Sequence, residues 1–192
     1  MRPAVYIILA VVAVQRLAEV VYAERNTRAL RGRGAVEVGR GHYPLIVVLH
    51  AAWLMAIVLW LPVNAMIFWP AAALFILLQV GRAWVIGTLG PYWTTRILTL
   101  PEAPLVRSGP YRFVRHPNYL VVTGEIAMLP LVFGEVHVAI VFTILNAAML
   151  AWRIREEDAA LELRRVGARP DRMKAKLHRD LPDDRQRLMD AP

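Results

Sequence analysis

The 192-residue chain contains no cysteine. That removes disulfides, thiolate metal sites and cysteine nucleophiles at once. Charge is scarce as well: 20% of residues are charged, while 57% are hydrophobic. A soluble domain is usually about 45–50% apolar, and here the excess comes in blocks rather than evenly. No Gly-x-Gly-x-x-Gly or phosphate loop occurs, no His-Glu-x-x-His or other metal-ligand spacing is present, and no Ser-His-Asp arrangement stands out. No metal site is therefore expected. Neither an internal repeat nor inverted symmetry relates the halves, which argues against a transporter built from repeats. The net charge of +8 is read as basic residues gathered at membrane edges, so nucleic acid is not an expected partner.

What the chain has is a series of apolar runs long enough to cross a bilayer of about 30 Å. Spans are expected at about 3–22, 43–61, 66–86, 117–133 and 136–152. The first is too long, and lacks too clear a cleavage site, to be a secretory signal. Arg-rich connections follow the first and third spans and the last one, whereas the turns after the second and fourth carry no Arg or Lys. The positive-inside rule then puts the loops after the first and third spans and the C-terminus in the cytoplasm, with the N-terminus outside. The predicted fold is an all-α integral membrane protein of one domain, with five transmembrane helices. An interfacial segment within 87–115 precedes the fourth span, and a cytoplasmic C-terminal helical tail follows the fifth. Residues 24–41 carry four glycines and read as a basic loop. Pro101, Pro104 and Pro110 argue against one continuous helix in the interfacial segment, which Tyr92 and Trp93 anchor at the headgroups. In the tail, helical periodicity runs from Arg153 to Val166, a second polar segment follows Pro170, and the residues from Leu181 onward look frayed.

Polar groups interrupt the spans at informative places. Arg16 and Glu19 are three residues apart and share a helix face. They are either an ion pair near the helix end or the lining of an internal cavity. His50 is either a hydrogen-bonded packing residue or a ligand-binding one. Glu125 either hydrogen-bonds to Arg82, His50 or Gln79, or serves as a base. Two junctions concentrate most of the remaining polarity. Gly109-Pro110-Tyr111-Arg112-Phe113-Val114-Arg115-His116-Pro117-Asn118-Tyr119 opens the fourth span. Pro117 suits the first helical turn, which places His116 at a helix N-terminus, where anions are favoured. Arg153-Ile154-Arg155-Glu156-Glu157-Asp158 closes the fifth. Facing each other at one membrane surface, the two junctions suit a ligand bearing both an amine and a carboxylate. The alternative is a set of membrane-edge salt bridges, each worth little.

These two junctions together resemble the isoprenylcysteine carboxyl methyltransferase family, whose pattern is Arg-His-Pro-x-Tyr before the penultimate span and Arg-x-x-x-Glu-[Glu/Asp] after the last. The second motif here is Arg153, Glu157 and Asp158, with Leu161 in the following apolar place. The likeness covers about 87–161, within a cofactor-binding half at about 87–165. Two departures are five rather than more spans and a tail in which only Val166-Gly167 remains of a Phe-Gly-x-x-Tyr-x-x-Tyr ending. The first half, through Arg16-Leu17-Ala18-Glu19, Arg25-Asn26, residues 34–39, His42-Tyr43-Pro44 and His50, is similar to a bacterial branch linked to type III polyketide synthases. Enzymes of that branch methylate an oxygen on alkylpyrones.

The resemblance implies S-adenosylmethionine as cofactor, held by Tyr111, Arg115, His116, Pro117, Asn118, Tyr119, Arg153 and Glu157. It implies a catalytic group of Arg96, Glu125 and Arg153. Arg96 would orient the acceptor oxygen, and Glu125 would be the base for an acceptor arriving protonated. A lipophilic small-molecule acceptor would come sideways from the lipid bilayer through a tunnel between the first, second and fourth spans, bounded by Arg16, Glu19, His42, His50 and Trp93. The expected location is the bacterial inner membrane, with the active site facing the cytoplasm. A prenylated cysteine carboxylate is the alternative acceptor. A non-enzymatic protein binding anionic lipid is the alternative of another class.

Overall fold

The computed structural model describes residues 2–39, 41–100 and 106–180, and the side chains among them other than those of Arg2, His42 and 160–180. Pro101, Pro104, Arg40, the stretch from Leu181 onward and the His42 side chain lie outside the described residues.

Among the described residues five α-helices make up the fold: α1 (Arg2–Gly32), α2 (His42–Trp60), α3 (Trp69–Leu89), α4 (Pro117–Val132) and α5 (Val136–Asp180). Four of them, α1, α2, α3 and α5, are long and apolar enough to cross a membrane. α4 is apolar but has 16 residues, about 24 Å at 1.5 Å per residue. Its limits are chemical. Pro117 occupies the first helical position, and Pro130 removes a backbone donor near the far end. Gly134, at φ 81°, then turns the chain into α5. The start of α3 is tied to this end by a hydrogen bond from Phe68 N to the Val132 carbonyl, 2.8 Å.

α1 differs from expectation. The glycines of 24–41 predict a loop from Glu24, yet the helix continues to Gly32. No helix breaker lies between Ala23 and Arg31, and Arg28 reaches back one turn to Glu24 (3.3 Å). The glycines that suggested a turn begin only at the helix end. Gly34, at φ 89°, makes the turn itself, and its amide bonds the Arg31 carbonyl (2.9 Å). At about 46 Å, α1 exceeds the bilayer core, so its last turns project beyond it.

The chain then forms a strand unforeseen in the sequence, β1 (Val36–Val38), which pairs antiparallel with β2 (Ile97–Thr99). The tail also departs from its expected break, since the backbone helix of α5 passes through Pro170 to Asp180.

α3 packs along α4, α4 along α5, and α2 against α5. The main core joins Val5, Leu9, Trp53, Ile57, Ile126 and Phe133. Trp53 satisfies its indole N–H on the Ile126 carbonyl, 3.2 Å. Large side chains such as Ile7, Val11, Leu59, Ile76 and Ile144 are exposed on the outside, as expected of helices solvated by lipid.

Candidate functional site

A cavity of about 290 Å³ opens where the two polar junctions meet. Three parts of the chain enclose it. The end of α1 and the following turn contribute Leu30 and Ala35, the segment from Leu89 to Leu100 contributes Trp93, Arg96 and both faces of β2, and the two junctions contribute Tyr111, Arg115, His116, Asn118, Tyr119, Arg153 and Glu157.

Tyr119 is the hub. It sits in the first turn of α4, so its side chain leans back over the helix start. Its hydroxyl donates to the Glu157 carboxylate and accepts from Arg153 Nε at 3.0 Å. Arg153 and Glu157, one turn apart on α5, are therefore bridged through a phenol. Arg153 Nη2 also donates to the Thr95 carbonyl, 2.8 Å, which draws the interfacial segment onto α5. The His116 ring stacks on Tyr119 at 5.2 Å and stands 3.8 Å from Glu157 and 3.7 Å from Asp158. Pro117 is buried beneath. No side chain caps the N-terminus of α4, and the Asn118 side-chain oxygen is shielded from solvent without a hydrogen-bond partner. Arg115 is exposed on the rim. Burial, and then the charge of Glu157, push the Tyr111 phenol up to about 12, so it is a proton donor throughout the physiological range.

The opposite wall brings two expected residues, Trp93 and Arg96, together with supports for which no role was expected, Asn26, Arg31 and Glu37. Asn26 is buried in α1 and donates to the Trp93 carbonyl at 2.8 Å and the Gly90 carbonyl at 3.2 Å. It thereby pins the 3-10 turn Gly90–Tyr92. Trp93 is buried and stacks on Tyr22 at 6.0 Å. Arg96 donates through Nη1 to Glu37 (2.9 Å) and lies over the Tyr43 ring at 4.2 Å. Arg31 grips the other oxygen of Glu37. Burial pushes the Glu37 carboxyl up, but the hydrogen bonds and charges of Arg96 and Arg31 outweigh it and hold the group below the ordinary carboxylate range.

The remaining polar residues gather elsewhere. Arg82 holds Glu19 bidentately (2.7 and 2.6 Å) and reaches Glu125 through Nη1 (2.9 Å). Arg16 contacts Glu19 at 3.0 Å and Glu125 at 2.9 Å. Gln79 donates to Glu125 at 2.8 Å and accepts from Gln15 at 2.9 Å. His50 bonds the Ile46 carbonyl one turn back (2.8 Å) and meets Trp53 edge-on. None of Arg16, Glu19, His50 or Glu125 lines the cavity. The first, second and fourth of these join α1, α3 and α4 in one ionic network. Its signal in the sequence was opposite charges at matching membrane depth in three spans. Among the described residues no cluster could hold a metal ion.

The family profile described as isoprenylcysteine carboxyl methyltransferase matches residues 71–163. An uncharacterized Bacillus subtilis protein, YpbQ, is 39% identical over 161 residues, covering 82% of this chain and 96% of its own. An uncharacterized Haemophilus influenzae protein is 29% identical over 142 residues, covering 71% and 83%. No solved structure matches. The matched segment contains Arg96, both junctions and the whole Tyr119 hub, and the likeness to YpbQ extends over most of the remainder. The chain belongs to the isoprenylcysteine carboxyl methyltransferase family of membrane methyltransferases.

Proposed function

We propose that the protein is an S-adenosylmethionine-dependent O-methyltransferase acting on a small lipophilic acceptor of the alkylpyrone type, with its pocket at the cytoplasmic face of a bacterial inner membrane. In this reading α4 is a fifth, short span, accommodated by local thinning of the bilayer, and the N-terminus is outside. The observation that carries the reading is the cavity bounded by the Tyr119–Arg153–Glu157 hub at one end and Trp93 and Arg96 at the other.

The residues present fit the cofactor. An uncapped helix N-terminus beside His116 suits a carboxylate. The Asn118 oxygen, shielded and unpartnered, and the Glu157 carboxylate suit an amine or ribose hydroxyls. Tyr111 and Tyr119 offer aromatic faces for a base. When bound, S-adenosylmethionine supplies an electrophilic methyl group on a sulfonium. The protein's own part is positioning. Arg153, locked between Tyr119 and the Thr95 carbonyl, fixes one edge of the pocket, and Arg96 presents a guanidinium to an acceptor oxygen. Holding two reactants in line while water is excluded contributes several kcal/mol, on the order of 7–11 at best.

The family's description favours a second acceptor, a prenylated cysteine carboxylate, which presents an oxygen of the same charge to Arg96. Two measurements on detergent-purified protein decide. S-adenosylhomocysteine should bind, and no binding at millimolar ligand refutes the enzyme reading in favour of a lipid-binding protein. Radiolabelled methyl transfer to alkylpyrones, alkylresorcinols and farnesylated cysteine analogues then ranks the acceptors. Label on the cysteine analogue alone replaces the first acceptor by the second.

A further inference from the structure

In β1 the order Val36-Glu37-Val38 puts alternate side chains on opposite faces. The buried position goes to the glutamate, while Val36 is 60% exposed. This inverts the arrangement that hydrophobic burial favours, and a buried carboxylate is tolerated only with partners. Among the described residues two guanidiniums pair with it, one on each oxygen: Arg31 from the end of α1 and Arg96 from the edge of β2. The register Glu37↔Leu98 sets the carboxylate beside Arg96 rather than across from it. Tyr43 supports the flat face of the Arg96 guanidinium. Its Nε is shielded, and the nearest carboxylate beyond Glu37, that of Glu24, is 3.9 Å away, too far for a hydrogen bond. Arg96 is thus held through Nη1 and one face, with the charge of Glu24 beside Nε, in a side chain that lines the cavity. Glu37 and Arg31 both lie outside the family-matched segment 71–163, whereas Arg96 lies inside it.

We infer that Glu37, carried on the N-terminal arm, is a positioning residue for methyl transfer: it fixes the Arg96 guanidinium in the orientation that meets the acceptor oxygen. This rests on the reading of Arg96 as the group that orients that oxygen. Glu37 itself touches no reacting atom. It acts through Arg96, and the arm from Asn26 to Val38 becomes part of the catalytic apparatus rather than a connecting loop.

The test is a double-mutant cycle on the full-length chain in detergent, with Glu37→Gln, Arg96→Lys and the two combined. Each protein is assayed for S-adenosylhomocysteine affinity and for kcat and KM on whichever of the alkylpyrone and farnesyl-cysteine probes the wild type methylates. Glu37→Gln should lower acceptor kcat/KM about 10- to 100-fold, mainly in kcat, with cofactor-product affinity within about twofold of wild type. In the Arg96→Lys background it should cost nothing further, because the side chain it positions is gone. A loss of equal factor in both backgrounds, or a parallel fall in S-adenosylhomocysteine affinity, makes Glu37 merely structural and overturns the inference. Should Glu37→Gln fail to fold, Arg31→Ala takes its place, since Arg31 is half-exposed and grips the same carboxylate. The expected loss is then about 2- to 10-fold, again absent beside Arg96→Lys, and unchanged turnover overturns the inference. A wild type that methylates an acceptor together with a fully active Arg96→Lys overturns this inference but leaves the methyltransferase standing. A wild type that binds no S-adenosylhomocysteine removes both.

Discussion

Replacing Glu125 by Gln separates two roles that its position in α4 allows. Two guanidiniums, Arg16 and Arg82, face two carboxylates, Glu19 and Glu125, between α1, α3 and α4. The Glu125 side chain is 3% exposed and that of Arg82 10%. Gln at 125 preserves the shape and a hydrogen bond to Gln79 but leaves two cations against one anion. Removing one partner of a buried ion pair costs about 3–5 kcal/mol. The retained hydrogen bonding puts the expected loss near the lower end, about 3 kcal/mol. For a chain of this length that lowers the unfolding midpoint by about 6–12 °C, measured by helical circular dichroism in detergent. Adding Arg16→Gln restores charge balance and should recover a substantial part of the shift. In the protein that remains folded, methyl transfer should stay within a few fold of wild type, because Glu125 does not line the cavity. The reasoning fails if the midpoint moves by less than about 2 °C while kcat drops by more than about 100-fold, the signature of a lost general base.

The hub makes a prediction of its own. Glu157→Gln should weaken S-adenosylhomocysteine binding by about 1–3 kcal/mol, and Arg153→Lys should weaken it too, since an ammonium cannot reach both the Tyr119 hydroxyl and the Thr95 carbonyl as a planar fork does; calorimetry showing unchanged affinity in both would put the cofactor elsewhere. On the opposite face, burial without a partner pushes the Glu135 carboxyl up to about 7. The folded state therefore holds this proton more tightly than the unfolded one, so the stability that Glu135 contributes is fully present below about pH 4.5 and is lost as pH rises through about 7. Glu135→Gln should abolish that decline and unfold at a higher temperature than wild type at pH 8; an unaltered pH profile would sink the assignment. Topology is tested at Gly32, where an added Cβ meets nothing within 4 Å and a new cysteine would be the protein's first. A membrane-impermeant maleimide should label Gly32→Cys only after permeabilisation, and labelling of intact cells would reverse the orientation.

The parts of this architecture written locally were the legible ones. Apolar run length located the four long helices, and Pro117 marked the start of α4 to the residue. The spacing of Arg153 and Glu157 placed them on one helix face. What bound them was hidden, because a tyrosine hydroxyl interposed between two charges and a backbone carbonyl at Thr95 leave no pattern in the sequence. The continuation of α1 was missed because four glycines dominated the composition of 24–41, although the nine residues from Ala23 to Arg31 contain no helix breaker. The β1–β2 pairing lay beyond reach: three residues per strand give one cycle of alternation, and here the alternation is inverted at Glu37. The pair Arg16–Glu19 could be read within its helix, and the bonds of Glu125 to Arg82 and Gln79 were among those expected, but the joining of Arg16 and Glu19 to them depends on how three helices pack.

That packing in turn governs the pocket. The network between Glu19, Arg82 and Glu125 fixes α1 both along and about its axis, because a shift of one residue turns a helix face by about 100° and would strand at least one of the charges. With that depth and rotation set, Asn26, seven residues beyond Glu19 and two turns along the same face, arrives at the Gly90 and Trp93 carbonyls. One turn further, Leu30 reaches the cavity, and the turn at Gly34 delivers Glu37 to Arg96. The floor of the pocket, within 71–163, is where the family profile matches. Its facing wall is placed by an ionic lock more than one helical turn away. Substitutions along the arm from Asn26 to Val38 can therefore reshape the side of the cavity facing Arg96 while the Tyr119 hub stays intact.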